Sequence, residues 1–212
     1  MKGELHTLIS LLLAFQPDPN WWPGSSSFEI AVSAVLTQNT SWNNVSKAME
    51  RLAKSGINNW EQILKARDLE TIINPAGFYR RKATTLRELA MLMQKDPIPS
   101  REELLNVKGI GPETADSILL YALGKPEMVV DSYTYRVLRN CGLVNGPFNY
   151  EQIKQLLITT LGQDSTNVDI LKRLHAAFVE VAKNYCKKKP HCVECPLNKK
   201  EGLPKESPPF NC

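Results

Sequence analysis

Three thiols within ten residues are the densest chemical signal in the chain. Cys186, Cys192 and Cys195, followed at a distance by Cys212, read as C-x5-C-x2-C-x16-C. Such a run closes on a metal centre or pairs as disulfides. Disulfides belong to oxidising compartments. A four-cysteine zinc site usually pairs two short knuckles, and only Cys192 and Cys195 make one here. Three crowded thiolates with a fourth from afar suit a [4Fe-4S] cluster, in which each iron takes one cysteine. Cys141 stands apart from the run.

A second group of residues could handle phosphate and a sugar. Val107-Lys108-Gly109-Ile110-Gly111-Pro112 reads as a tight turn between two short helices. Gly109 and Gly111 permit dihedrals closed to other residues, and Pro112 suits the first position of the next helix. Amides left uncovered at such a turn bind phosphate without reading bases, although many helical hairpins use G-x-G only to turn. Nineteen residues beyond Pro112 lies Val129-Val130-Asp131-Ser132-Tyr133. By itself Asp131 is an N-cap for the helix that follows. Trp21-Trp22-Pro23 and Trp42 complete the inventory, as core anchors or as a stacking surface.

The elements that must position these residues are helices. Ser26-x-x-Glu29 and Ser100-x-x-Glu103 have the form of capping boxes. Apolar residues at helical spacing predict helices near 26–36, 44–53, 60–65, 69–73, 82–93, 101–106, 112–123, 133–140, 150–161 and 168–185, with an N-terminal helix through Leu5, Leu8, Ile9 and Leu12. No alternating strand pattern stands out, so the fold class is all-α.

Composition is that of an ordinary globular protein: 212 residues, 42% hydrophobic and 23% charged, enough for one domain or two small ones sharing a core. The longest nearly apolar run, Leu8 to Phe15 with Ser10 inside it, is far short of the ~20 residues a bilayer span needs, and its flanks do not suit a signal peptide. A cytoplasmic location is expected. Net charge is only +4, but seven lysines face two glutamates between Lys183 and Lys205, and Arg80, Arg81 and Lys82 form a second basic cluster. Two such patches suit a phosphate backbone, or are simply solvated faces.

Together the hairpin V-K-G-I-G-P-E-T-A-D, the V-V-D-S-Y segment and the clustered cysteines resemble the endonuclease III branch of the helix-hairpin-helix DNA glycosylases. The resemblance spans nearly the whole chain. It implies two helical lobes: a six-helix lobe over 25–131 containing the hairpin (101–123), and a discontinuous lobe of 1–24 plus 132–212 carrying the cluster loop, 186–212. It implies a monomer acting on double-stranded DNA with a damaged base, which is flipped into a cleft between the lobes. Asp131 becomes the catalytic residue and Cys186, Cys192, Cys195 and Cys212 the cluster ligands. Lys108, Gly109 and Gly111 meet phosphates, Gln38 fills the hole left by the flipped nucleotide, and Phe78 wedges the opposite strand. Lys187 and Lys188 meet the DNA backbone.

Departures from that pattern narrow the expectation. Bifunctional members carry a lysine two residues after the second hairpin glycine, where it forms a Schiff base; this chain has Glu113, which predicts hydrolysis without strand cleavage. Trp21, Trp22, Pro23 and Trp42 are similar to the base pocket of the type III 3-methyladenine DNA glycosylases. That likeness implies alkylated purines, recognised by cation–π stacking on the indoles. Oxidised pyrimidines or mismatched bases are the alternative substrates, and an iron–sulfur DNA-binding or redox-sensing module is the non-enzymatic alternative.

Overall fold

Capping explains where many of the helices start. In the computed structural model, which describes residues 2–187 and 189–198, every regular element among the described residues is helical. Contacts divide the chain into two compact units, Trp22–Lys125 and Met1–Trp21 with Pro126–Cys212.

In the first unit, α2 (Ser27–Leu36) is the central helix, burying seven residues from Phe28 to Leu36. Ser26 Oγ accepts from the Glu29 N–H at 3.2 Å. The Glu29 carboxylate reaches past Ser26 to the N–H and hydroxyl of Ser25, at 2.6 and 2.7 Å. Around α2 stand α3 (Trp42–Lys54), α4 (Trp60–Lys65), α5 (Leu69–Ile72), α6 (Tyr79–Lys95), α7 (Arg101–Asn106) and α8 (Pro112–Ser117). Leu36, Leu52, Ile63, Leu86 and Leu104 are essentially inaccessible to water. Each such side chain contributes about 2 kcal/mol of transfer free energy. Here α8 departs from the expected uniform helix over 112–123. After Ser117 the chain widens into a π-helical turn, Ile118–Ala122, a rare local form that tends to mark functional sites.

The second unit is built from α1 (Lys2–Ala14), α9 (Ser132–Asn140), α10 (Tyr150–Leu161) and α11 (Val168–Asn184). Leu5, Leu8, Ile9 and Leu12 bury the inner face of α1, which packs on α10 and α11. Asn167 begins α11, its Oδ1 accepting from the N–H groups of Asp169 and Ile170 at 3.0 and 3.2 Å. Within this unit α11 packs most extensively against α9.

Lys82 does not belong to a surface basic patch. Arg80 and Arg81 are exposed, but Lys82 is 3% exposed, and its Nζ donates to the carbonyls of Leu36 and Ala76, both at 2.8 Å. It thereby closes the C-terminal end of α2. Burial lowers its pKa to about 8, whereas an unfolded lysine titrates near ~10.4. Between those values the unfolded chain binds more protons, so stability rises with pH; below pH 8 the burial penalty is fully present. From pH 7 to pH 10 the wild type should gain about 2 kcal/mol over Lys82→Met. Urea denaturation at the two pH values reads this, and parallel curves would contradict it.

Candidate active site and thiol-lined cavity

Asp131 is the N-cap that its sequence context offers, and its second carboxylate oxygen faces another side chain. As the N-cap of α9 its Oδ1 accepts from the N–H and the hydroxyl of Thr134, at 2.7 and 2.9 Å. The other oxygen, Oδ2, lies 3.5 Å from Nε2 of His175 on α11. Both residues are buried, at 9% and 3% exposure. Burial pushes the carboxyl up. The adjacent His175, through hydrogen bonding and charge, and then the Thr134 N–H and hydroxyl, outweigh that and hold it below the usual carboxylate range. Asp131 is therefore an ionised carboxylate at neutral pH. The Trp21 ring lies beside His175, with centroids 5.7 Å apart and planes tilted by 60°.

Nothing local in the sequence marks His175. It stands among Leu171, Leu174 and Phe178 on the buried stripe of α11 and reads as packing. Its partnership with Asp131, forty-four residues earlier, comes from the packing of α9 on α11.

In the first unit Trp22 is half-buried, its Nε1 donating to Ser33 Oγ at 2.9 Å. It meets Trp42 edge-on, with centroids 5.9 Å apart and planes at 83°, and lies 5.0 Å from Tyr121 at 32°. Tyr121 was not legible as part of this group. It arrives through the π-helical turn, which changes the direction of every side chain after Ser117. Pro23 is exposed, and Trp21 falls in the other unit.

The hairpin is held from three sides. Ser100 and Glu103 form a complete capping box at the start of α7. Thr85 Oγ1 donates to the Lys108 carbonyl at 2.8 Å, and the Lys108 N–H donates to Glu88 at 2.9 Å. Gly109 has φ +91°, and a Cβ there would stand 2.3 Å from Thr85 Oγ1, so no other residue fits. Gln38 Nε2 donates to the Gly109 carbonyl at 3.0 Å and to Thr114 Oγ1 at 2.9 Å, which ties the end of α2 to the turn. Gly111 is the N-cap of α8. Lys108 and Glu113 are exposed. Phe78 is 63% exposed and has φ +47°, a left-handed conformation that costs a bulky residue about 1–2 kcal/mol.

Cys186, Cys192 and Cys195 line one cavity of about 310 Å3, together with Cys141. Asn140 Nδ2 donates to Cys186 Sγ at 3.2 Å. No three Cys, His, Asp or Glu among the described residues converge on a single-ion site. A [4Fe-4S] cluster takes one cysteine per iron, whereas the ligands of a zinc ion meet at one point. Lys187 is exposed beside this cavity loop. Lys188 and Cys212 lie outside the described residues.

Residues 32–161 match the HhH-GPD superfamily base excision DNA repair proteins. The chain belongs to the HhH-GPD superfamily. It is 37% identical over 208 residues to a protein of Methanocaldococcus jannaschii named as a DNA repair glycosylase, covering 91% of this chain and 93% of that one. Among solved structures it is similar to the H. pylori 3-methyladenine DNA glycosylase MagIII bound to 1,N6-ethenoadenine. That match has a TM-score of 0.76 and 29% identity, and covers 84% of this chain and 96% of the other. A trapped endonuclease III–DNA covalent intermediate shares the fold with a TM-score of 0.78 at 22% identity, over 93% of each chain. As an HhH-GPD protein it is a DNA glycosylase of base excision repair, and no described helix is long and apolar enough to cross a membrane.

Proposed function

We propose that this HhH-GPD protein is a monofunctional DNA glycosylase that removes N-alkylated purines, 3-methyladenine above all, from double-stranded DNA and leaves an abasic site. The observation that carries the reading is the buried, ionised Asp131 held by Thr134 on one oxygen and faced by His175 on the other. Breaking an N-glycosidic bond builds positive charge on the sugar. A fixed carboxylate stabilises that charge while it orients or deprotonates the attacking water.

Alkylation makes the departing purine cationic and a better leaving group, so less acid catalysis is required. Indole faces select it by cation–π attraction worth roughly 0.5–2 kcal/mol. Trp21, Trp22, Pro23 and Trp42 are the residues assigned to that recognition, and the likeness to the MagIII complex supports a purine base. Glu113 at the position of the lyase lysine supports hydrolysis without a Schiff base. Lys108, Gly109 and Gly111 hold phosphate, Gln38 and Phe78 support the opened duplex, and Lys187 and Lys188 add charge to the backbone contact. Cys186, Cys192 and Cys195, with a fourth thiolate, would hold a [4Fe-4S] cluster. When bound, the cluster would supply a covalent brace for the loop that presents Lys187.

His175 gives this reading a pH signature. The Asp131 carboxyl is depressed in the folded protein, so activity is present at neutral pH and lost only as pH falls through that depressed value. His175→Phe keeps the burial and removes the partner, and the acid limb of the single-turnover rate should move to higher pH. Superimposable acid limbs would show that His175 does not act through Asp131.

The reading is tested by incubating the protein with N-methylated duplex DNA and separating the released bases. Free 3-methyladenine, alkali-labile abasic sites and no borohydride-trapped adduct are expected. Strand cleavage without alkali, or a trapped covalent complex, would overturn the monofunctional assignment.

A further inference from the structure

We propose that Cys141, and not Cys212, supplies the fourth thiolate of the cluster; this rests on the [4Fe-4S] reading above. Cys141 lines the same cavity as Cys186, Cys192 and Cys195 and is 6% exposed. It follows directly on α9, where its N–H donates to the Val137 carbonyl at 2.9 Å. Its neighbour Asn140 donates to Cys186 Sγ at 3.2 Å, so the end of α9 is already docked on the thiol loop. The packing of α9 on α11 fixes that end in place.

Two thiols compete for the fourth iron. Cys212 stands seventeen residues beyond Cys195 in the sequence, so ligation by it closes a loop of that length, at a cost in chain entropy. Cys141 is placed by a helix, so ligation there costs little further ordering. As each thiol binds, it releases its proton and its sulfur takes one iron, so four cysteines around one cavity satisfy a cube of four irons without help from the tail. Val137, Val181 and Leu197 also line this cavity.

The experiment uses the full chain, reconstituted without oxygen with ferrous iron and sulfide, and measures iron and acid-labile sulfide per chain together with the EPR spectrum after mild oxidation. Wild type should hold about four irons. Cys212→Ala should hold the same number with an unchanged spectrum. Cys141→Ala should drop to about three, with the spectrum of a three-iron cluster, or lose the cluster. A full cluster in Cys141→Ala, or a loss of iron in Cys212→Ala, would overturn the assignment of Cys141 alone. The second arm decides even where Cys141→Ala fails to fold. A wild-type chain that takes zinc and no iron would overturn the cluster reading as well.

Discussion

Asp131→Asn should bind a duplex containing 3-methyladenine as the wild type does, yet release the base about 10^3-fold more slowly. The substitution isolates charge. Asparagine is as good an N-cap as aspartate, and its carbonyl oxygen can accept from the Thr134 N–H and hydroxyl that Oδ1 now holds. The start of α9 and the fold are therefore kept. What disappears is the negative charge, and an amide cannot stabilise an oxocarbenium-like centre or take a proton from water. Single-turnover rates and a binding isotherm separate the two effects. A rate within threefold of wild type would remove Asp131 from the reaction, whereas lost binding with an unchanged rate would make it a DNA contact.

Arg101→Leu should cost about 3–5 kcal/mol of stability, a large share of the ~5–15 kcal/mol that holds a typical domain together. Arg101 Nε donates to Asp116 Oδ1 at 2.7 Å and its Nη2 to Oδ2 at 3.3 Å, a two-pronged pair. The Asp116 side chain is fully buried while Arg101 is 27% exposed. Removing the guanidinium leaves a carboxylate in the interior between α7 and α8, the two helices that flank the hairpin. The cost comes from a buried carboxylate that loses its two-pronged guanidinium more than from the lost attraction itself, so the double variant Arg101→Leu/Asp116→Leu should recover most of the loss. Urea denaturation of the three proteins reads both numbers. A single-variant loss below ~1 kcal/mol would place the pair among surface ion pairs of little consequence.

Much of the fold is legible where local rules act alone. The Ser100–Glu103 capping box is present as its spacing requires, and α4, α7 and α10 begin and end at the residues that apolar periodicity marks. Legibility fails where a distant partner decides. The start of α6 lies three residues before the apolar pattern begins, because a left-handed Phe78 launches it. Lys82 looks like part of a basic cluster and is instead a buried donor, since the carbonyls it serves belong to residues 36 and 76. Tyr121 reaches Trp22 only through the π-helical turn, which no periodicity of 3.6 residues announces. His175 carries no local signal at all, and its meaning lies in the 3.5 Å that separate it from Asp131.

A carboxylate after a glycine hairpin, and three crowded cysteines, are visible in the sequence, but by themselves they read equally as an N-cap, a turn and a metal knuckle. Which oxygen of Asp131 caps and which faces His175, and which thiols share a cavity, depend on how α9 lies on α11.

The most direct test of the central claim is a set of single-turnover rates on otherwise identical duplexes carrying 3-methyladenine, an oxidised pyrimidine, or a thymine–guanine mismatch. The proposed reading, with Asp131 acting at the sugar and the indoles preferring a cationic purine, predicts release of 3-methyladenine at least ~10-fold faster than of the other two bases. Faster release of the oxidised pyrimidine or of the mismatched thymine would contradict it.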